Sequence, residues 1–174
     1  QDQFSATVLE TVISGRHPHI KRWAWESAED LKLATESIAL MGLTEFINRD
    51  VLTLSGGERQ RVALATILTQ QPSLYFIDEP LTHLDLNHQI EVLDLIQTKT
   101  KRERVSTLMV LHEPGMAHRF CDSALLLFGH GEWLYGSVDT VLNAENLTRL
   151  YGYPLVQIER PDAKGSNQRW FVPA

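Results

Sequence analysis

Apolar residues recur every three or four positions at the start of the chain. Val8, Leu9, Val12 and Ile13 share one side, which predicts a helix over Ala6–Ser14, ended by Gly15–Pro18. A second helix is predicted over Ser27–Met41: Ser27 caps it, Glu29 and Asp30 occupy its first turn, and Leu31, Ala34, Ile38 and Met41 form its apolar face before Gly42 stops it. Leu43–Asn48 suits a short further turn. After a loop at Leu54–Gly57, a third helix is predicted over Gly57–Gln71, with Val62, Ala65 and Leu68 as its stripe and Arg59 and Arg61 on a solvated face. The pattern then changes. Leu74–Asp78 and Thr107–Leu111 are continuous apolar runs and read as fully buried strands. Between them Leu86–Lys99 reads as a helix with Ile90, Leu93 and Ile96 inward. Pro114–Phe120 reads as a short helix. Ala124–Phe128 and Glu132–Tyr135 read as a hairpin through Gly129-His130-Gly131. Val138–Tyr151 is predicted helical with a break near Asn143, and Leu155–Ala174 as two strands around a polar loop at Asp162–Gln168.

Strand, helix, strand, helix from Leu74 onward is the order of an α/β fold with a parallel sheet flanked by helices. Ligands of such sheets bind beyond the carboxyl ends of the strands. Asp78, Glu79 and His112 fall there. The expected organisation is a helical subdomain over residues 1–50, a segment over 51–136 holding the third helix and the α/β core, and C-terminal helices and a tail over 137–174.

Composition narrows the classes. The 174 residues are 43% hydrophobic and 22% charged, an ordinary globular balance. A net charge of −6 argues against a general nucleic-acid binder. The single cysteine, Cys121, excludes an internal disulfide and suits a reducing compartment. No apolar run approaches the ~20 residues that span a bilayer, so any membrane link is expected to run through a partner. Gln1–Ser5 is polar and the chain has no initiator methionine, so residues upstream are expected to have been removed.

Four stretches carry candidate chemistry. In Leu54-Ser55-Gly56-Gly57-Glu58-Arg59-Gln60, two glycines let a backbone approach a phosphate at the start of a helix, where amide groups point outward. The plainer alternative is a capped helix start with a tight turn. In Leu74-Tyr75-Phe76-Ile77-Asp78-Glu79-Pro80 a strand delivers two adjacent acids whose side chains cannot share a face. Asp78 suits a Mg²⁺ held through water, and Glu79 suits polarisation of an attacking water; the alternative is an acidic strand end turning through Pro80. Asp85 caps the helix from Leu86 and is also expected to face a partner subunit. His112 could hydrogen-bond a γ-phosphate, or be a satisfied polar residue after a strand. The remaining histidines show no metal spacing. Cys121 reads as a small buried residue. Trp23 and Trp25, in the basic and aromatic stretch Arg16–Trp25, suit either the core or a partner protein.

In this order and spacing, Leu54–Gln60, Leu74–Pro80, Leu84-Asp85 and His112 resemble the signature motif, Walker B strand, D-loop and switch histidine of the nucleotide-binding domain of ABC ATPases. The likeness spans nearly the whole chain. Thr7–His19 and the Leu142–Tyr151 tail, with its Asn-Leu-Thr-Arg-Leu-Tyr-Gly run, further resemble the importers of iron-siderophores, haem and cobalamin. The resemblance implies a P-loop NTPase-like sheet and an ATPase coupled to import, with ATP and Mg²⁺ as its cofactors; the alternatives are a non-transport ABC ATPase of DNA repair or translation and a non-catalytic dimerisation fragment. Two such domains sandwich two ATP molecules, so a second ABC ATPase domain, in a homodimer, is an expected partner. Ser55, Gly56, Gly57 and Glu58 would serve the nucleotide held by the other copy, with Asp85 communicating across the pair. Asp78 would support Mg²⁺, Glu79 would activate water, and His112 would steady the γ-phosphate. Residues 6–50 would receive a transmembrane permease subunit, placing the protein peripherally at the cytoplasmic face of the inner membrane, with no nucleic-acid partner.

The sequence also departs from that family. It contains no Gly-Lys pair and so no Gly-x-x-x-x-Gly-Lys-Ser/Thr phosphate loop. Gln1 and Gln3 are the candidates for the Q-loop glutamine, and both sit too close to Phe4. Glu113-Pro114 and His83 are unusual for their positions. The expectation is a C-terminal portion of a longer ATPase, inactive alone and with an apolar flank exposed.

Overall fold

The computed structural model describes residues 5–161 and 167–174. Gln1, Gln3 and most of the polar loop expected at Asp162–Gln168 lie outside the described residues. The chain divides into two compact units after Val110.

In the first unit three helices, α1 (Val8–Ile13), α2 (Ala28–Leu40) and α3 (Gly56–Gln70), pack on one another. Each opens with a capping box, in which a Thr or Ser hydroxyl accepts the amide three residues on and that residue's carboxylate accepts the cap's own amide: Thr7 with Glu10, Ser27 with Asp30, Ser55 with Glu58. Short 3-10 turns follow α1 at Ser14–His19 and precede α3 at Thr44–Phe46 and Val51–Thr53. Val8, Val12, Ala34, Ile38, Val62 and Ala65 close the core between the helices and are almost wholly buried. Leu31, expected on the apolar face of α2, is exposed; Ser37 and Asp30 are buried instead.

The crossing of the first helical segment over α3 is close. Gly15 is buried, and a Cβ there would sit 2.4 Å from the Thr66 carbonyl oxygen, so only glycine fits. Arg16, next in the chain, turns inward: its Nε donates to Asp30 at 2.7 Å and its Nη1 to the Thr69 carbonyl at 3.2 Å. Arg61 is not the solvated residue its position suggested, because its Nη1 donates to the Met41 carbonyl at 3.0 Å and ties down the end of α2.

β1 (Leu74–Asp78) and β2 (Ser106–Val110) form a parallel pair in which Asp78 lies opposite Val110, with α4 (Leu86–Glu103) as the crossover. Neither strand is buried on both faces, as the apolar runs had suggested. Tyr75 and Ile77 enter the core, whereas Leu74, Phe76, Leu108 and Val110 are exposed. A run apolar at every position conceals the two-residue alternation that separates the faces. On α4 the fully buried positions are Val92, Leu93 and Ile96, while Ile90 is only half-buried.

The second unit holds α5 (Pro114–Phe120), the antiparallel hairpin β3 (Ser123–Gly129) and β4 (Glu132–Ser137), α6 (Val138–Val141), α7 (Ala144–Tyr151), and a second antiparallel pair, β5 (Leu155–Pro161) with β6 (Asn167–Pro173). Its core is Leu126, Val138, Val141, Leu142 and Leu147. The break near Asn143 is a new helix start, with the Asn143 side chain accepting the Asn146 amide at 2.9 Å.

Candidate functional site

The start of α3 carries the strongest sequence signal. Ser55 has extended backbone, and its hydroxyl accepts the Glu58 amide at 3.3 Å while the Glu58 carboxylate accepts the Ser55 amide at 2.7 Å. That bond from the Ser55 N–H, with a further one from its hydroxyl, holds the Glu58 carboxyl below its ordinary range, so Glu58 is ionised at neutral pH. The capped-start reading and the phosphate reading are therefore compatible. Gly56 and Gly57 are the first two helical residues, whose amides have no acceptor inside a helix. Such a cluster at the positive end of a helix suits an anion.

The two glycines have a further reason to be glycine. A Cβ on Gly57 would sit 2.9 Å from the His83 carbonyl oxygen, and one on Gly56 would sit 3.4 Å from the His83 ring. The loop after β1 thus rests directly on the first turn of α3.

At the carboxyl end of β1, Asp78 and Glu79 are both exposed. Glu79 has a φ of +46°, a left-handed conformation uncommon outside glycine and often found at functional positions. Its carbonyl accepts from the Gln60 side chain at 3.2 Å and its carboxylate accepts the Thr82 hydroxyl at 3.1 Å. Pro80 behind it is buried. These contacts hold the turn while Glu79 stays exposed. His83 is also left-handed, with φ at +64°.

Asp85 caps α4: its carboxylate accepts the His88 amide at 2.9 Å and lies 2.8 Å from His88 Nδ1. The His88 amide, then its ring, holds Asp85 below the usual carboxylate range. The Asp85 side chain is still two-thirds exposed, at 67%, so capping leaves it accessible. A magnesium ion takes one or two carboxylates and completes its shell with water and substrate phosphate. Asp78, accessible at a strand end, offers one such ligand.

His112 follows the end of β2 by two residues and is described with the second unit. It is exposed, and its carbonyl accepts the Tyr151 hydroxyl at 3.0 Å. Pro114 occupies the first turn of α5, where its missing amide costs no helix hydrogen bond.

The structure therefore brings together Ser55–Glu58, Glu79 and the 82–85 loop in the first unit. Gln60, Thr82 and His88 complete that arrangement. Gln60 and Thr82 lie inside or beside the motifs, but nothing in their spacing showed that they hold the Glu79 turn. His88 had a visible signal, since a residue three positions after a capping Asp meets its carboxylate.

The family model described as ABC transporter matches residues 2–82. The petrobactin import ATP-binding protein FpuD of Bacillus anthracis is 38% identical over 146 residues, covering 82% of this chain and 52% of that protein. The chain thus spans about half the length of this curated relative, 52%. A solved metal-chelate type ABC transporter in an inward-facing conformation superposes over 100% of this chain and 68% of its own, with a TM-score of 0.88 and 29% identity. The dimeric post-hydrolysis structure of the ATP-binding cassette MJ0796, bound to ADP and Pi, covers 68% of this chain and 51% of its own, with a TM-score of 0.62 and 27% identity. With motif order and fold in agreement, this chain belongs to the ABC transporter family and has the fold of that family's ATP-binding cassettes.

Proposed function

We propose that the chain contributes the signature, Walker B and switch elements of an ATPase that couples ATP hydrolysis to import of a metal-chelate or cobalamin-type substrate. The observation that carries this reading is the turn at Glu79: an exposed, left-handed glutamate at the end of β1, tied to the signature helix through Gln60. Glu79 acts as the base toward water. Ser55, Gly56 and Gly57 offer hydroxyl and amide groups to the phosphates of a nucleotide held by a second cassette, with Glu58 fixing their geometry. Asp78 supports Mg²⁺, which when bound neutralises phosphate charge. His112 donates to the γ-phosphate, and Asp85 works across the cassette pair.

The partner reading has separate supports. MJ0796 is dimeric, FpuD is a petrobactin import ATP-binding protein, and the metal-chelate transporter is the structure with 29% identity and a TM-score of 0.88. No helix among the described residues is long and apolar enough to cross a membrane. A permease would dock on residues 6–50, holding the protein peripherally at the cytoplasmic face of the inner membrane; nucleic acid has no role in this scheme. The 174 residues contain no Gly-Lys pair, so the phosphate cradle must come from residues other than these, and this segment by itself turns over no ATP.

The test is ATP hydrolysis by a longer cassette that carries this segment together with a phosphate loop, assembled with its permease, native against Glu79→Gln. Loss of a general base typically costs ~10²–10⁴-fold. Turnover that survives the substitution at the native rate removes Glu79 from this role.

A further inference from the structure

We propose that the loop between the first 3-10 turn and α2 inserts Trp23 and Trp25 into the headgroup region of an anionic lipid bilayer, a contact made by this chain itself, with permease docking left to the rest of residues 6–50. The inference does not depend on the ATPase reading.

Trp23 and Trp25 are 92% and 90% exposed, more than any other large hydrophobic residue described. The sequence left them to the core or a partner, and the structure removes them from the core. Trp23 also has a φ of +73°, an outlier for a bulky side chain. A strained backbone that presents a bare indole contributes nothing to the stability of the fold, so its use lies outside the chain.

The loop is staked on both sides. The Ile20 amide donates to the His17 carbonyl at 3.2 Å and the Ala24 amide to the Lys21 carbonyl at 2.9 Å. His19 Nε2 lies 2.7 Å from the Gln70 carbonyl, and Arg16 holds Asp30 at 2.7 Å across the base. Lys21 and Arg22 sit at the tip, with Arg22 5.9 Å from the centre of the Trp23 ring. No acid occurs in residues 16–25, in a chain of net charge −6. Of the acids that follow, Asp30 is taken by Arg16 and Glu26 faces His17 at 3.9 Å; Glu29 remains.

Size and chemistry select the occupant. Two tryptophans two residues apart on a loop tip offer on the order of 300–500 Å² between them. A specific protein interface buries about 1,200 Å² or more in total, roughly 600 Å² on each partner, which is more than the two indoles offer. A bilayer interface accepts single indoles at headgroup depth, and adjacent Lys and Arg add attraction to anionic lipid.

The test is co-sedimentation of the protein, without permease, on vesicles of phosphatidylcholine alone or with phosphatidylglycerol. Indole quenching by brominated lipid is read in parallel. Binding is expected to the phosphatidylglycerol vesicles at low salt, with quenching at the interface. The double substitution Trp23→Ser with Trp25→Ser should abolish both signals while leaving the circular dichroism spectrum unchanged. Lys21→Gln with Arg22→Gln should weaken binding by about fivefold per charge removed, with the indoles still present. Absence of binding to either vesicle overturns the proposal. So does binding that both double variants retain, or binding that appears only when permease is reconstituted.

Discussion

The contact between His83 and the glycines of α3 allows a comparison in which two adjacent, identical substitutions act with different sign. Alanine at either position gains helix propensity and reduces the freedom of the unfolded chain, together a stabilisation of about 0.5–1 kcal/mol. At Gly56 the new methyl meets the His83 ring at 3.4 Å, an ordinary contact, so that gain should survive. At Gly57 the methyl meets the His83 carbonyl oxygen at 2.9 Å, and the neighbour is backbone, not the end of a flexible side chain. A comfortable carbon–oxygen approach is ~3.3 Å or more, so the loop must retreat by a few tenths of an ångström. Overpacking of this kind costs about 1–3 kcal/mol. Gly57→Ala should therefore be less stable than Gly56→Ala by about 1–3 kcal/mol, with the former at or below the native protein and the latter at or above it. Urea unfolding read by circular dichroism measures both midpoints, with equal m-values as the check that the unfolded states match. If the two alanines shift the midpoint equally, the 82–85 loop does not rest on α3 and the account of the Glu79 turn fails with it.

Other expectations follow from single contacts. Tyr75 is buried, its hydroxyl has no hydrogen-bond partner among the described residues, and burial pushes its ionisation up to about 12. Tyr75→Phe should be neutral or stabilise the protein by about 1 kcal/mol in the same unfolding assay; a clear loss would reveal a partner for that hydroxyl. Gly15→Ala places a methyl 2.4 Å from the Thr66 carbonyl and should cost about 3 kcal/mol, read as a drop in thermal midpoint. Asp30 accepts from Ser27 and Arg16, which lowers its carboxyl from 3.8 to about 2. Because the folded value is the lower one, its contribution is complete above pH ~4 and vanishes as pH falls from there toward ~2. Asp30→Asn should flatten the pH dependence of the unfolding midpoint across that window; an unchanged slope would remove Asp30 as its source.

Much of the architecture was legible where a single physical signal dominated. The helix from Ser27, the strand Leu74–Asp78, the helix Pro114–Phe120 and the restart at Asn143 all carry strong caps, breakers or unbroken apolar runs, and they stand close to their predicted bounds. The sidedness of the strands was not legible, because Leu74, Tyr75, Phe76 and Ile77 are all apolar and only packing distinguishes them. Arg61 was misplaced for a similar reason: a charged residue beside the apolar stripe looks solvated until the carbonyl of Met41 is found within its reach. In the site, residue types and order were readable from Ser55 to Asp85. The supporting turn was not, because the left-handed backbone at Glu79 and His83 and the hydrogen bonds from Gln60 and Thr82 are tertiary facts with no periodicity.

The bare side of the β1–β2 pair has a practical corollary. Leu74, Phe76, Leu108 and Val110 form an oily plane on a two-stranded ribbon. Concentrated preparations of this chain should self-associate through that plane and clear on mild detergent, and a charged replacement at Phe76 should keep it dispersed without disturbing the buried Tyr75 and Ile77 behind it.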